Sequence, residues 1–298
     1  MLTCYLQGGL GNQLFQIFNT INYALKYKKV FAFTNQTQLD IHRSTYWQTL
    51  LQPLAKFTKA INYNQLNKDR FTTLIHKQNT NNYFVQLKEK DFTYTELPNI
   101  NNDNILLIGY FQSYKYFTEY SKSIIKLIRL EEQRVKIQTM FKKYSLNNTI
   151  SIHFRRGDYK SLQDYFILLD YTYYFNSLKY ILEKEPATIS NTLVFCEKDD
   201  LLEILSIIDK LKQTYPTLTF EIIDFNISDW HQLLLMSLCK HNIIANSTFS
   251  WWGAYFNTNP EQIVCYPDRW FGIKHSQHNV KDLFPLEWKK VNSTVYKK

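Results

Sequence analysis

Between residues 149 and 266, short apolar runs alternate with amphipathic stretches, and this restricts the possible folds more than any other feature of the chain. Strand patterns fall at 149–154, 192–196, 220–223, 242–245 and 263–266. Helical spacing fills most of the intervals, at 171–182, 201–212, 230–239 and 251–256. Strands separated by helices pair in parallel, with the helices covering both faces of the sheet. The chain opens the same way. A buried strand at 2–6 meets the turn Gly8-Gly9-Leu10-Gly11, a helix follows over 12–28, and a second strand covers 30–34.

Residues 35–104 are rich in Asn, Gln, Thr and Lys, with aromatic islands such as Tyr83-Phe84-Val85, and read as irregular, acceptor-facing connections. A strand at 105–111 and helices at 116–130 and 131–144 lead to the polar turn Asn147-Asn148, which marks a domain boundary. The expected architecture is α/β, with domains 1–147 and 148–298 on either side of a cleft.

With 45% hydrophobic and 20% charged residues, the 298-residue chain has ample material for a core. Its formal charge of +9 favours anionic partners. The lysines are scattered, with no basic arm, so a local anion site is favoured over a nucleic-acid surface, and peripheral contact with an acidic membrane stays compatible. The four cysteines, Cys4, Cys196, Cys239 and Cys265, lie in or beside apolar runs without C-x-x-C spacing, as buried reduced thiols do. No signal peptide and no eighteen-residue apolar run is present, so the expectation is a cytoplasmic protein without a transmembrane segment.

Two stretches carry candidate chemistry. His153-Phe-Arg-Arg-Gly-Asp158 ends a strand, and ligands of open α/β sheets bind where such strands end. Two guanidiniums there suit a phosphate or pyrophosphate, and the plain alternative is an Arg156–Asp158 ion pair on a surface turn. In Asn246-Ser-Thr-Phe-Ser250 an apolar strand runs into hydroxyl residues at a helix start, with Ser250 opening the helix. Such residues cap helices, and the same geometry holds phosphate. Trp251 and Trp252 are core residues or a stacking platform. Gly8-Gly-Leu-Gly11 lacks the lysine of a P-loop and the third glycine of a dinucleotide fingerprint, so a plain β-to-α turn and a ligand site are equally good readings.

Gly8–Gln16, Gly109–Phe117, His153–Tyr159 and Leu235–Gly253 together resemble, in order, the blocks of the α-1,2-fucosyltransferases of glycosyltransferase family 11, soluble microbial or viral type. The resemblance implies a GT-B fold of two Rossmann-like domains and an inverting transfer of L-fucose from GDP-L-fucose. The acceptor it implies is the 2-hydroxyl of a terminal β-galactoside on a glycan, and no metal or other cofactor is needed. It places Arg155 and Arg156 at the donor, with Arg156 on the β-phosphate, and has His153 and Asp158 shape that loop. Asn246, Ser247, Thr248 and Ser250 fall on the diphosphate, and Asn12, with Gln13, meets the donor from the opposite domain. Two departures stand out: Phe195-Cys-Glu-Lys-Asp-Asp200 replaces a Ser-Asp-Asp sequence, and Gln232 replaces a frequent acidic residue.

The chemistry agrees with that implication. A departing diphosphate needs fixed cations and N–H donors, and no D-x-D motif occurs. Asp158, Asp164 and Asp229 are candidates to take the acceptor proton. The alternatives are a transferase of the same fold with another GDP-sugar or linkage, and a basic nucleotide- or RNA-binding protein.

Overall fold

The computed structural model describes residues 1–61, 63, 84–185 and 189–293. The chain divides into two compact units, Met1–Glu131 with Asn279–Phe284, and Glu132–His278 with Pro285–Lys298. The second unit therefore begins before the Asn147-Asn148 turn.

In the first unit, β1 (Leu2–Cys4) leads through the glycine turn into α1 (Leu10–Tyr27). Leu10, Leu14, Phe15, Ile17, Phe18 and Ile21 form the buried stripe that holds α1 in place. The helix starts two residues before the expected Asn12 because Gly9, in extended backbone, already serves as its N-cap. Short strands follow: β2 (Phe33–Thr34), β3 (Gln38–Asp40), β4 (Arg43–Ser44), β5 (Thr58–Lys59), β6 (Val85–Lys88) and β7 (Ile105–Ile108). The order β1-β7-β6 makes a parallel sheet, β2 pairs with β5 in parallel, and β3 with β4 forms an antiparallel hairpin. The 35–104 stretch is thus more regular than expected, since runs of two to four residues are too short to show periodicity. Residues 64–83, with Tyr83 of the aromatic island, lie outside the described residues. Where one helix was expected over 116–130, two short 3₁₀ turns precede α2 (Ser121–Leu127).

The second unit begins at Glu132, within α3 (Leu130–Met140), whose Arg134 is buried. Its guanidinium donates to the Ser237 hydroxyl (3.2 Å), the Ser237 carbonyl (3.0 Å) and the Thr258 hydroxyl (2.7 Å). These bonds commit α3 to this unit, which explains why the division precedes the polar turn. Six strands then make one parallel sheet: β8 (Thr149–His153), β9 (Asn191–Phe195), β10 (Thr219–Ile222), β11 (His241–Ile243), β12 (Val264–Pro267) and β13 (Lys289–Val291). The helices between them are α4 (Tyr171–Lys184), α5 (Leu201–Thr214), α6 (Asp229–Leu238) and α7 (Thr248–Tyr255). The spatial order β10-β9-β8-β11-β12-β13 is that of a Rossmann sheet, with its direction reversing between β8 and β11. The edge strand β13 was missed, because Lys289 and Lys290 are exposed and leave a single buried residue as its apolar signal.

Side chains of β8 alternate between the two faces. Ile150, Ile152 and Phe154 join a core with Tyr173, Tyr174 and Leu178 of α4 and Ile204 and Ile208 of α5. On the other face the Ser151 hydroxyl accepts from Asn242 Nδ2 (2.7 Å), and the His153 ring lies 5.6 Å from that of Phe249. All four cysteines are buried and unpaired, and burial pushes the Cys4, Cys196 and Cys265 thiols up to about 12.

Arg134→Ala leaves the Ser237 carbonyl without its charged donor, so the urea midpoint of the full chain should fall by the equivalent of about 2 kcal/mol. An unchanged midpoint would remove Arg134 as the anchor of α3.

Candidate active site

Loops leaving the carboxyl ends of β8, β9 and β11 build the site. After β8 the chain enters a 3₁₀ turn at Gly157–Ser161, and Gly157 takes a left-handed φ of +28°. That backbone favours glycine, and a Cβ there would also sit 2.6 Å from Glu197 Oε2, so the Glu197 carboxylate would have to move aside. Asp200, 1% exposed at the end of the β9 loop, accepts from the Gly157 amide (2.8 Å) and pairs with Lys160 (2.7 Å). Neither Glu197 nor Asp200 was singled out from the sequence as a site residue. Their signal was available in the acidic cluster that follows directly on an apolar strand.

The two arginines part company. Arg155 pairs with Asp158 and with Glu197, and its guanidinium lies 4.9 Å from the centre of the Tyr159 ring. The Tyr159 hydroxyl donates to the Asn246 carbonyl (3.1 Å), which ties Arg155's loop to the turn after β11. Arg156 instead donates through Nε to Glu203 in the first turn of α5 (2.8 Å) and through Nη1 to the Leu169 carbonyl (3.4 Å). The two guanidiniums thus hold different partners, Arg155 in its own loop and the one after β9, Arg156 at the start of α5. The chain leaves extended backbone at Arg156 (φ −124°, ψ −75°), where the 3₁₀ turn begins, and there its side chain reaches α5 while Arg155 stays beside Tyr159. The alternative reading of an Arg156–Asp158 ion pair is replaced by Arg155–Asp158.

His153 ends β8, 8% exposed, and Tyr174 donates to its carbonyl (3.2 Å). Its Nδ1 is buried without a hydrogen-bond partner among the described residues. Burial, with Arg155's charge adding to it, pushes the imidazole down to about 3, so the ring is neutral.

At the hydroxyl turn, Ser247 caps α7 by accepting from the Phe249 amide (3.3 Å), and the Ser250 hydroxyl donates back to the Ser247 carbonyl (3.4 Å). The helix opens at Thr248, half-buried, rather than at Ser250. Two of the three hydroxyls expected on a phosphate are therefore engaged within the turn. Asn246 is 1% exposed and donates to the carbonyls of Ile167 (3.1 Å) and Trp270 (3.0 Å), so its amide group braces two neighbouring loops. Trp251 and Trp252 are fully buried, which makes them core residues.

In the first unit, Gln13 is fully buried and donates to the carbonyls of Gly8 and Ser44 (2.9 Å each), so it staples the glycine turn to β4. Asn12 Oδ1 accepts from Gln112 Nε2 (3.0 Å). Of the aspartates, only Asp158 belongs to the Arg155 cluster. Asp164 pairs with Lys274 (2.8 Å), and Asp229 accepts from the Trp230 amide (2.7 Å) at the start of α6. Gln232 donates to the Ile227 carbonyl (2.7 Å). Among the described residues no three His, Cys, Asp or Glu side chains gather where they could hold a metal ion, and no helix is long and apolar enough to cross a membrane.

The fold is that of solved glycosyltransferases. Arabidopsis thaliana FUT1, solved as a mutant with GDP, aligns over 88% of this chain and 69% of its own, at TM-score 0.50 and 10% identity. Escherichia coli ADP-heptose lipopolysaccharide heptosyltransferase II aligns over 97% and 90%, also at TM-score 0.50 and 10% identity. The protein therefore has an α/β fold of the GT-B class. The model of glycosyl transferase family 11 matches residues 1–292, and the chain belongs to that family. Among its relatives are two Escherichia coli proteins. The O-antigen biosynthesis glycosyltransferase WbnK is 28% identical over 91% of this chain and 95% of its own, and an alpha-1,2-colitosyltransferase is 26% identical over 96% and 97%. A Caenorhabditis elegans galactoside 2-alpha-L-fucosyltransferase is 25% identical over 98% of this chain and 79% of its own.

Since the folded-state pKa of His153 lies below its unfolded value, the native ring stays neutral while the unfolded one takes up a proton. Its stabilising contribution is present above about pH 6.5 and is lost as pH falls toward about 3. The His153 ring carbons should show no NMR titration between roughly pH 5 and 8, and a shift centred near 6.5 would contradict the burial argument.

Proposed function

We propose that the protein transfers L-fucose from GDP-L-fucose to the 2-hydroxyl of a terminal β-galactoside, inverting the anomeric carbon and requiring no metal. The observation that carries this reading is the position of Arg155, on the His153 face of β8 and bound through Tyr159 to the hydroxyl turn. The fucosyl C1–O bond breaks with its electron pair leaving on the β-phosphate, while the acceptor oxygen bonds C1 from the opposite side and gives up its proton. Arg155 stabilises the charge that gathers on the leaving oxygen. Asp158, already beside Arg155, is the aspartate assigned to the acceptor proton. Thr248 faces the diphosphate, and Asn12 addresses the donor sugar as the family resemblance implies. Arg156 becomes a residue that holds the loop through Glu203.

The colitosyltransferase relative favours one second reading, a GDP-colitose donor, colitose being 3-deoxyfucose. The four buried, unpaired cysteines suit a reducing compartment, so the cytoplasm is the proposed place of action, open to test by cell fractionation.

With a panel of β-galactosides and either GDP-sugar, NMR of the product should show a new α-1,2 linkage to fucose, at equal rate with and without EDTA. Loss of turnover on chelation would end the metal-free reading, and colitose transfer alone would select the second donor. Arg155→Lys should lower kcat by on the order of 100-fold, because a point charge cannot reproduce the planar fork. Arg156→Lys should cost less than about tenfold, as expected of a residue that acts through the loop rather than on the donor. The reverse ranking would return the β-phosphate to Arg156.

A further inference from the structure

Glu89 follows β6 at the carboxyl end of the first unit's sheet, and the mechanism above does not use it. One of its oxygens, Oε2, accepts from the amides of both Tyr110 (2.7 Å) and Phe111 (2.8 Å). The other, Oε1, is buried without a partner among the described residues. The segment it grips is unusual. Gly109 has φ +155° and Phe111 has φ +53°, a conformation few bulky residues adopt. A Cβ at Gly109 would run into the Cβ of Glu89, so the glycine lets the carboxylate approach. The next residue, Gln112, is 7% exposed and donates to Asn12 (3.0 Å).

A desolvated carboxyl with one oxygen unpaired is costly to keep, and a left-handed phenylalanine adds backbone strain. Both persist here because each depends on the other: without the carboxylate, two adjacent amides would lose their acceptor and the Gly109–Gln112 turn could relax.

We propose that Glu89 is a positioning residue for sugar transfer, clamping the Gly109–Gln112 turn so that Gln112 holds the Asn12 amide in its working orientation. This rests on the reading that Asn12 addresses the donor sugar. Glu89 touches neither donor nor acceptor, and it acts through two backbone amides and one side chain. Burial holds its carboxyl up at about 7, with Asp91 and Tyr116 the titratable groups that face it. The carboxylate is the better acceptor for the two amides, so the clamp tightens as pH rises through that value.

Glu89→Ala and Glu89→Gln separate this role from a purely structural one. Glu89→Ala should lower kcat by on the order of 100-fold, leave GDP affinity in calorimetry within about twofold, and speed amide exchange of Tyr110 to Gln112. Glu89→Gln keeps an oxygen acceptor and should recover most of kcat, without the modest inflection near pH 7 expected of the unaltered protein. Wild-type kcat in Glu89→Ala, or equal losses in both variants with matching losses of GDP affinity, overturns the proposal. Amide exchange needs no donor, so unaltered exchange in Glu89→Ala overturns it as well. If the unaltered protein turns over colitose and not fucose, the fucose reading fails while the same kcat ratios still decide the role of Glu89.

Discussion

β8 is hydrogen-bonded along both edges, to β9 from Thr149↔Asn191 to His153↔Phe195 and to β11 from His241↔Ile150 to Ile243↔Ile152. Because all three strands run parallel, their following loops leave from the same edge of the sheet, where the order of strands reverses direction. That edge brings Arg155, Glu197 and the Asn246-Ser247 turn together although they are far apart in sequence. The pairing also fixes the register of β8, and a slip of one residue would exchange its two faces. His153 and Arg155 would then turn toward α4 and α5, and Phe154 would lose its core. The apolar packing of Ile150, Ile152 and Phe154 is what prevents this, so the hydrophobic core sets where the guanidinium points.

Within the loop, charge is almost fully self-compensated. Arg155 is held by Asp158 and Glu197, Arg156 by Glu203, and Lys160 by Asp200 and Glu203. Glu197 is about half exposed and Asp158 nearly so, and ion pairs in that setting contribute roughly 0–1 kcal/mol. A diphosphate carries more charge and several acceptor oxygens, so it can displace them from Arg155 at small cost. Asp200 is different: it is almost wholly buried and bound to a backbone amide, which makes it a permanent part of the scaffold. The loop therefore combines a fixed clamp beneath with exchangeable carboxylates above, and together they hold the guanidinium in place.

Much of this was legible in the residues themselves. The alternation of strands and helices from Thr149 onward gives the parallel sheet, and the position of His153–Asp158 at a strand end marks the site. The different partners of Arg155 and Arg156 were not legible, because the chain leaves the strand and turns at Arg156, and a twin-arginine motif invites a joint role. Other features left little trace. Strands as short as Phe33–Thr34 have no periodicity, and β13 carries two lysines. No local pattern tells whether a buried amide such as Asn246 serves a ligand or two loop carbonyls. Only the partners decide that, and they lie at Ile167 and Trp270.

The family blocks thus mix two kinds of residue. Gln13, Asn246, Gly157 and Ser250 are consumed in shaping turns, whereas Arg155, Asp158 and Thr248 stand at the edge where a ligand would meet them. The scaffolding side chains are the more buried, and the amide nitrogens of Gln13 and Asn246 are each spent on two backbone carbonyls, which fixes the turns they brace. A GT-B protein with the same turns and different exposed side chains would keep the diphosphate grip and change the sugar it accepts. On the proposed reading, one hydroxyl on the donor sugar is a matter for a few exposed contacts, not for the loops that position the leaving group.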